Sequence, residues 1–115
     1  MVVFDTFALV KFLKKEAGWE HVAQMLKREG WISDVILYEL TYVVTRDFLD
    51  QGNDLSTSLR KAQDIVAMVV SHLQKVRVSD EVMYHATYFK VKDSKLDLSH
   101  FDCIGLATAK IGQQA

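Results

Sequence analysis

The sequence predicts an α/β domain built on a parallel sheet, and three observations lead to this class. Short apolar runs alternate with longer segments in which apolar residues recur every three or four positions. The segment order is strand, helices, strand, helices, strand, helices, which is typical of parallel strands joined by crossover helices. The length of 115 residues suits one domain, residues 1–115, that buries its own core.

Three short segments are predicted as strands. Residues 1–5 form an apolar run that ends in Asp5, and such a run suits a strand covered on both faces. Residues 31–33 are the second candidate, and residues 75–78 alternate with a period of two. Ligands of open parallel sheets bind beyond the carboxyl ends of the strands. Asp5 is therefore expected to point into that crevice.

Six amphipathic segments are predicted as helices. They begin at or beside residues 6, 19, 34, 56, 79 and 99. Asp34, Ser79 and Ser99 are residue types that favour helix N-caps. The first two helices are expected to cover residues 6–16 and 19–28, the fourth to reach residue 73, and the last to end at Gly112.

Composition excludes several classes of protein. The 14 Lys and Arg residues against 15 Asp and Glu residues give a formal charge of −1, so nucleic acid could bind only at a local basic surface. The longest apolar run, residues 65–70, is too short to span a bilayer, and no membrane partner is expected. One cysteine and no basic segment before Asp5 favour a cytoplasmic location over secretion.

Three acids stand out by position, namely Asp5, Glu39 and Asp102. Carboxylates that converge at a sheet edge repel each other unless a cation lies between them, and their oxygens suit Mg²⁺ or Mn²⁺. Each acid also has a structural interpretation that stays open from local sequence. Asp5 before Thr6 could cap a helix, Glu39 could be a solvated helix residue, and Asp102 could form a capping box with Ser99.

Three motifs carry a resemblance to a known family. Residues 3–6 (Val-Phe-Asp-Thr) precede an apolar helix, Glu39-Leu40 is followed by Arg46, and residues 98–102 lead into an alanine-threonine-alanine run at 107–109. The acids are separated by 34 and then 63 residues. In this order and on these elements, the motifs resemble those of the PIN domain family, in particular its small prokaryotic VapC-type toxins.

The resemblance implies a fold, an activity and a cofactor. The fold would be a PIN-like three-layer α/β domain whose short, mostly parallel sheet is flanked by helices. The activity would be that of a metal-dependent endoribonuclease acting on RNA. Asp5, Glu39 and Asp102 would hold Mg²⁺ or Mn²⁺, which can lower the pKa of an attacking water.

The resemblance also assigns supporting roles and partners. Thr6 would orient Asp5 or a water, Ser99 would cap the helix that presents Asp102, and Arg46 is a candidate phosphate contact. Small members of the family are commonly homodimers and commonly pair with an antitoxin protein. An antitoxin partner and a homodimer are therefore expected beside the RNA substrate.

One departure from the family pattern affects the expected activity. The pattern continues past the last helix into a strand that carries threonine-x-aspartate, a fourth acid, and the sequence ends at residues 112–115, where that strand should begin. Asp97 is a nearby spare carboxylate. Either this sequence is shorter than the native protein, or the protein lacks this strand, and the second case favours a catalytically degenerate PIN-like domain that serves as a binding or assembly module. A separate alternative is an unrelated α/β domain in which the acids are caps and surface charges.

Aromatic residues also cluster on one predicted helix. Tyr84, Tyr88 and Phe89 lie close together in sequence. Their rings could stack on RNA bases, or they could pack in the core or against a second copy of the chain. Packing or a dimer contact is the favoured interpretation.

Overall fold

The computed structural model describes residues 2–28 and 30–114, with side chains up to residue 112, and it confirms the predicted α/β class. The strands of the described residues are β1 (Val2–Val3), β2 (Gly30–Ser33) and β3 (Gln74–Val76). Their helices are α1 (Thr6–Leu13), α2 (Trp19–Leu26), α3 (Asp34–Asp50), α4 (Leu55–Val69), α5 (Asp80–Lys92) and α6 (His100–Gln114). Met1, predicted to begin the first strand, lies outside the described residues.

The three strands form one parallel sheet in the order β1-β2-β3. Val2 pairs with Gly30, and Trp31 pairs with Gln74. Parallel neighbours need a crossover connection, which α1 and α2 supply between β1 and β2, and α3 and α4 supply between β2 and β3. All three strands therefore end at the same edge of the sheet, and Asp5 follows the end of β1.

Two hydrophobic clusters hold the helices around the sheet. The larger lies among the sheet and the first four helices, and Leu9, Ile32 and Leu40 are fully buried in it. The smaller lies between α5 and α6 and includes Val82 and Cys103. Cys103 is 1% exposed, as expected for a small core residue. The second cluster anchors α6, which also contacts β1 and β2.

The start of α3 differs from the sequence prediction by one residue. Ser33, and not Asp34, is the N-cap, because its backbone is still extended and its Oγ accepts a hydrogen bond from the backbone nitrogen of Ile36 at 3.2 Å. Asp34 Oδ1 instead accepts a hydrogen bond from the backbone nitrogen of Val78 at 3.1 Å. Val78 thus pairs with a side chain, and β3 ends at Val76, two residues earlier than predicted.

Four helices do not end where their sequence signals predict. The second stops at Leu26 and not at residue 28, and the last continues two residues past Gly112 to Gln114. The first helix stops at Leu13, because Lys14 to Glu16 are exposed and supply no apolar side chain for its buried face. The fourth helix stops at Val69, and the turn that follows places Leu73 in the core at 7% exposure. None of the helices in the described ranges is both long and apolar enough to cross a membrane.

Gly30 occupies a place in which no side chain fits. A Cβ atom on Gly30 would lie 2.8 Å from Phe4 Cε2, 3.1 Å from the backbone oxygen of Val2 and 3.2 Å from Leu73 Cδ2. Two of these neighbours belong to the core and one is strand backbone. Close packing of β2 against β1 and Leu73 therefore requires a glycine here.

We expect Gly30→Ala to lower the free energy of unfolding by about 1–3 kcal/mol, because overpacking displaces side chains from their preferred positions. Gly105→Ala is the matched control, since a Cβ at Gly105 meets no atom within 4 Å. Alanine in that helix should raise stability by about 0.5–1 kcal/mol. Urea unfolding of both variants measures the effect, and equal stability of Gly30→Ala and wild type would contradict this account of the packing.

Candidate acidic site

Asp5 lies at the junction between the first strand and the first helix. It is the N-cap of α1, with φ −103° and ψ 172°, and its Oδ1 accepts a hydrogen bond from the backbone nitrogen of Ala8 at 2.8 Å. The capping role proposed from local sequence is therefore confirmed. The cap bond uses only Oδ1 of this exposed carboxylate, so Oδ2 is not required by the helix.

Asp102 lies in the first turn of α6 and forms a reciprocal capping box with Ser99. The backbone nitrogen of Ser99 donates to Asp102 Oδ2 at 3.1 Å, and the backbone nitrogen of Asp102 donates to Ser99 Oγ at 3.0 Å. Asp102 is exposed, and the box uses one of its two carboxylate oxygens. The predicted capping box is thus present, and it fixes the position of this acid on the helix.

The structure brings Asp5 and Asp102 to the same cleft, although they lie near opposite ends of the sequence. This cleft has a volume of about 480 Å³ and lies between the end of β1 and one side of α6. Its lining consists of Val3, Phe4, Asp5, Leu98, Phe101, Asp102, Gly105, Leu106 and Ala109. Asp5 and Asp102 are the acids of this lining, and the remaining side chains are apolar or glycine.

Glu39 does not line this cleft. Glu39 lies in the second turn of α3, and its side chain is half-buried. At a rise of 1.5 Å per residue, it lies about 7.5 Å along the helix axis from Asp34, the first residue of α3. Among residues 2–28 and 30–114, no group of three or more His, Cys, Asp or Glu side chains could hold a metal ion. A shared metal site of Asp5, Glu39 and Asp102 thus stays a prediction.

Thr6, the first residue of α1, carries a polar atom without a partner. Its side chain is 8% exposed, and its Oγ1 is buried with no hydrogen-bond partner among the described residues. A buried hydroxyl left unpaired costs about 1–3 kcal/mol. A polar group of this kind beside Asp5 is a place where a water or ligand would be stabilised.

Neither acid of the cleft forms a salt bridge with another of the described side chains. In the part of the chain that the structure describes, the ion pair is Lys14 with Asp47, at 3.4 Å, and neither residue lines the cleft. Two carboxylates on one cleft repel each other unless a cation binds. Mg²⁺ is often held by one or two carboxylates and several waters. The donor set of Asp5 and Asp102 therefore fits a hydrated divalent cation.

The remaining predicted residues lie around this site without lining it. Arg46 is exposed on α3, about 10.5 Å along the helix axis from Glu39. Asp97 is exposed and follows a short 3-10 turn, with a left-handed φ of 51°. Neither contributes to the cleft lining. Their predicted roles, a phosphate contact and a spare carboxylate, are not tested by this geometry.

The apolar wall of the cleft is not predicted from the sequence. Phe101 and Leu106 are 37% and 42% exposed there, and Leu98 and Ala109 extend the same stripe. Together with Asp102 and Gly105, the lining positions of this segment recur every three or four residues, but that is also the spacing of a buried helix face. Lys90 donates a hydrogen bond to the backbone oxygen of Leu98, which ties this wall to α5.

Comparisons with known proteins agree with this fold. The PIN domain family profile matches residues 2–114. The structure is also similar to a chain of a toxin-antitoxin complex from Klebsiella pneumoniae, with a TM-score of 0.69 and 17% sequence identity, over 98% of this chain and 81% of that chain. At that identity the likeness shows the fold alone. No curated protein matches the chain in sequence.

We expect Thr6→Val to raise the free energy of unfolding by about 1 kcal/mol, because it removes a buried hydroxyl that the chain leaves unpaired. Ser58→Ala is the matched control, since Ser58 Oγ is also buried without a partner and lies on α4, away from the cleft. Denaturant unfolding in metal-free buffer measures both variants. A loss of stability in Thr6→Val alone would mean that the hydroxyl is paired after all.

Proposed function

The chain belongs to the PIN domain family, and on this premise we propose that it is a metal-dependent endoribonuclease that hydrolyses RNA phosphodiester bonds as the toxin of a VapBC-type pair. One observation carries the proposal. Asp5 and Asp102, from opposite ends of the chain, share a cleft of about 480 Å³. The two acids are the first and third of the motifs that resemble the family.

The proposed cofactor is Mg²⁺ or Mn²⁺, held by Asp5 and Asp102 with Glu39 as the third acid. Hard carboxylate oxygens suit these cations, and the repulsion between the two cleft acids favours a cation between them. Glu39 is included because its helix follows β2, the strand beside β1. In addition, Glu39-Leu40 belongs to the second of the three motifs that resemble the family. A bound cation would neutralise charge on the phosphodiester and favour ionisation of a water.

The chain's own residues position the proposed chemistry. The Ala8 amide holds one oxygen of Asp5, and the Ser99 amide holds one oxygen of Asp102. Each carboxylate is therefore fixed in place while its second oxygen stays available for a ligand. Thr6 Oγ1, unpaired in the described structure, would hold a water beside Asp5. Arg46 would contact a phosphate of the RNA.

The proposed partners follow from the same family. The similar structure bears the name of a toxin-antitoxin complex, which supports an antitoxin protein as partner for this chain. RNA is the proposed substrate, a homodimer is the proposed assembly, and the cytoplasm is the proposed location. Because the net charge is −1, RNA binding would depend on local contacts such as Arg46 and should weaken as salt concentration rises.

A second candidate function is a PIN domain that no longer cleaves and acts as a binding or assembly module. The specific observation in its favour is that both cleft acids already serve as helix caps, while Glu39 lies off the cleft. In this interpretation the carboxylates stabilise helix N-termini, where negative charge is favourable. Metal binding and cleavage separate the two candidates.

We expect Asp5→Asn and Asp102→Asn each to lower Mn²⁺-dependent RNA cleavage by at least about 100-fold, because each removes a charge from the proposed metal site. Asparagine also caps helices well, so the fold should be retained. The matched control is Asp64→Asn, an exposed acid of α4 away from the cleft. Cleavage of a single-stranded RNA by purified proteins, with and without a chelator, is the measurement.

Equal cleavage by wild type and both cleft variants would identify a contaminating nuclease and remove the proposal. Calorimetric titration with Mn²⁺ then distinguishes the candidates. Binding that is lost in Asp5→Asn but kept in Asp64→Asn supports the nuclease. If wild type neither binds the metal nor cleaves RNA, the binding module is the better description.

A further inference from the structure

The last helix contains a glycine that the packing of the chain does not require. Gly105 lies in the interior of α6, where glycine makes a helix less stable than alanine does. A Cβ atom at Gly105 would meet no packing neighbour within 4 Å, whereas Gly30 is confined by Phe4 and Leu73. The described chain therefore gives no packing reason for a glycine at this position, and a ligand that lies against the helix would give one.

Gly105 lines the acidic cleft, and Phe101 lies about one helical turn before it. Both residues belong to the cleft lining, and they share one face of α6 because residues four positions apart in a helix do so. The Phe101 side chain is 37% exposed. Ala109, about one turn beyond Gly105, also lines the cleft. This face is thus an aromatic ring followed by about 12 Å of helix with only small side chains at the lining positions 105 and 109.

The shape of this face suits a flat ring. In proteins that bind single-stranded nucleic acid, bases stack on exposed aromatic side chains. The absence of a side chain at Gly105 leaves space for a planar group beside the helix. The cleft volume of about 480 Å³ lies within the range of pockets that hold small ligands, about 300–1,000 Å³. One base with its sugar and phosphate is therefore a suitable occupant.

The acids of the cleft distinguish a nucleotide from a purely apolar ligand. Asp102 follows Phe101 in the sequence and lines the same cleft with Asp5. Carboxylates repel a phosphate unless a cation lies between them, and Mg²⁺ is commonly bound by one or two carboxylates together with a substrate phosphate. A nucleotide should therefore bind only in the presence of a divalent cation, which an apolar ligand would not need.

We propose that Phe101 and Gly105 form a base-stacking slot, in which one base of single-stranded RNA lies on the Phe101 ring and over the Gly105 backbone, beside the phosphate at the acids. The inference rests on the proposed nuclease function and adds the residues that position its substrate. The described lining has no neutral polar side chain. Because stacking tolerates every base, the slot should accept all four with a modest preference, less than about tenfold.

The first test measures nucleotide binding without cleavage. The fluorescent nucleotide 2-aminopurine riboside 5′-monophosphate has a base and a phosphate but no phosphodiester bond, and stacking on an aromatic ring quenches it. Wild type in Mg²⁺ should quench it, and a chelator should restore the fluorescence. Phe101→Leu should weaken binding at least about fivefold, because stacking is lost. Tyr84→Leu is the matched control, since Tyr84 is an exposed aromatic of α5 that does not line the cleft.

The second test separates the slot from a structural role of the same residues. Gly105→Leu fills the slot, yet it should unfold in urea no more easily than wild type, because leucine favours helix and its Cβ meets no packing neighbour. It should nevertheless weaken nucleotide binding at least about tenfold. Phe101→Trp keeps an aromatic ring and should bind within about threefold of wild type.

The results for the slot and for the nuclease can be told apart. If wild type cleaves RNA with Mn²⁺, and Phe101→Leu and Gly105→Leu cleave and bind as it does, the slot is rejected and the nuclease stands. If wild type binds the nucleotide through Phe101 and Mg²⁺ but does not cleave RNA, the slot stands and the nuclease is rejected. If the nucleotide does not bind to wild type in Mg²⁺, the proposal is overturned, and a protein segment is the better occupant of the apolar wall.

Discussion

The packing of α6 against the sheet is the contact on which the candidate site depends. Asp5 follows the first strand and Asp102 lies on the last helix, so nothing in the local sequence holds them together. Small buried residues, Cys103 and Ala107, let α6 approach α5 closely, and α6 also contacts β1 and β2. The cleft is the space left between that helix and the end of β1. Its geometry is therefore set by core packing and not by the acids themselves.

The cleft acids have a structural role that is compatible with their proposed chemical role. Asp5 and Asp102 lie at helix N-termini, where backbone N–H groups favour negative charge. In each, one carboxylate oxygen accepts a capping hydrogen bond from a backbone nitrogen. This anchoring reduces the freedom that each side chain would lose on binding a cation. It also explains why local sequence does not distinguish a cap from a ligand, since both roles need a short acidic side chain at the same place.

Much of the fold could be predicted from the sequence because its signals are local. Apolar runs and helix periodicity place the elements, and Ser79 and the Ser99–Asp102 box are capping signals that the structure contains. The predicted end of an element is wrong where a residue distant in sequence determines it. For example, the backbone nitrogen of Val78 donates a hydrogen bond to Asp34, and β3 ends before Val78. The proximity of Asp5 and Asp102 could be predicted from the order of strands and helices together with the family resemblance. The position of Glu39 off that cleft depends on how α3 packs, which no local pattern records.

The two walls of the acidic cleft come from the first and the last elements of the described chain, and this has a consequence for synthesis. A nascent chain leaves the ribosome from its N-terminus and folds as it emerges. While α6 is still within the exit tunnel, Asp5 has no opposing wall. If the protein attacks RNA as proposed, it can do so only after the residues of α6 have been translated and have left the tunnel. The ribosome and message that make each copy would be shielded from it until then.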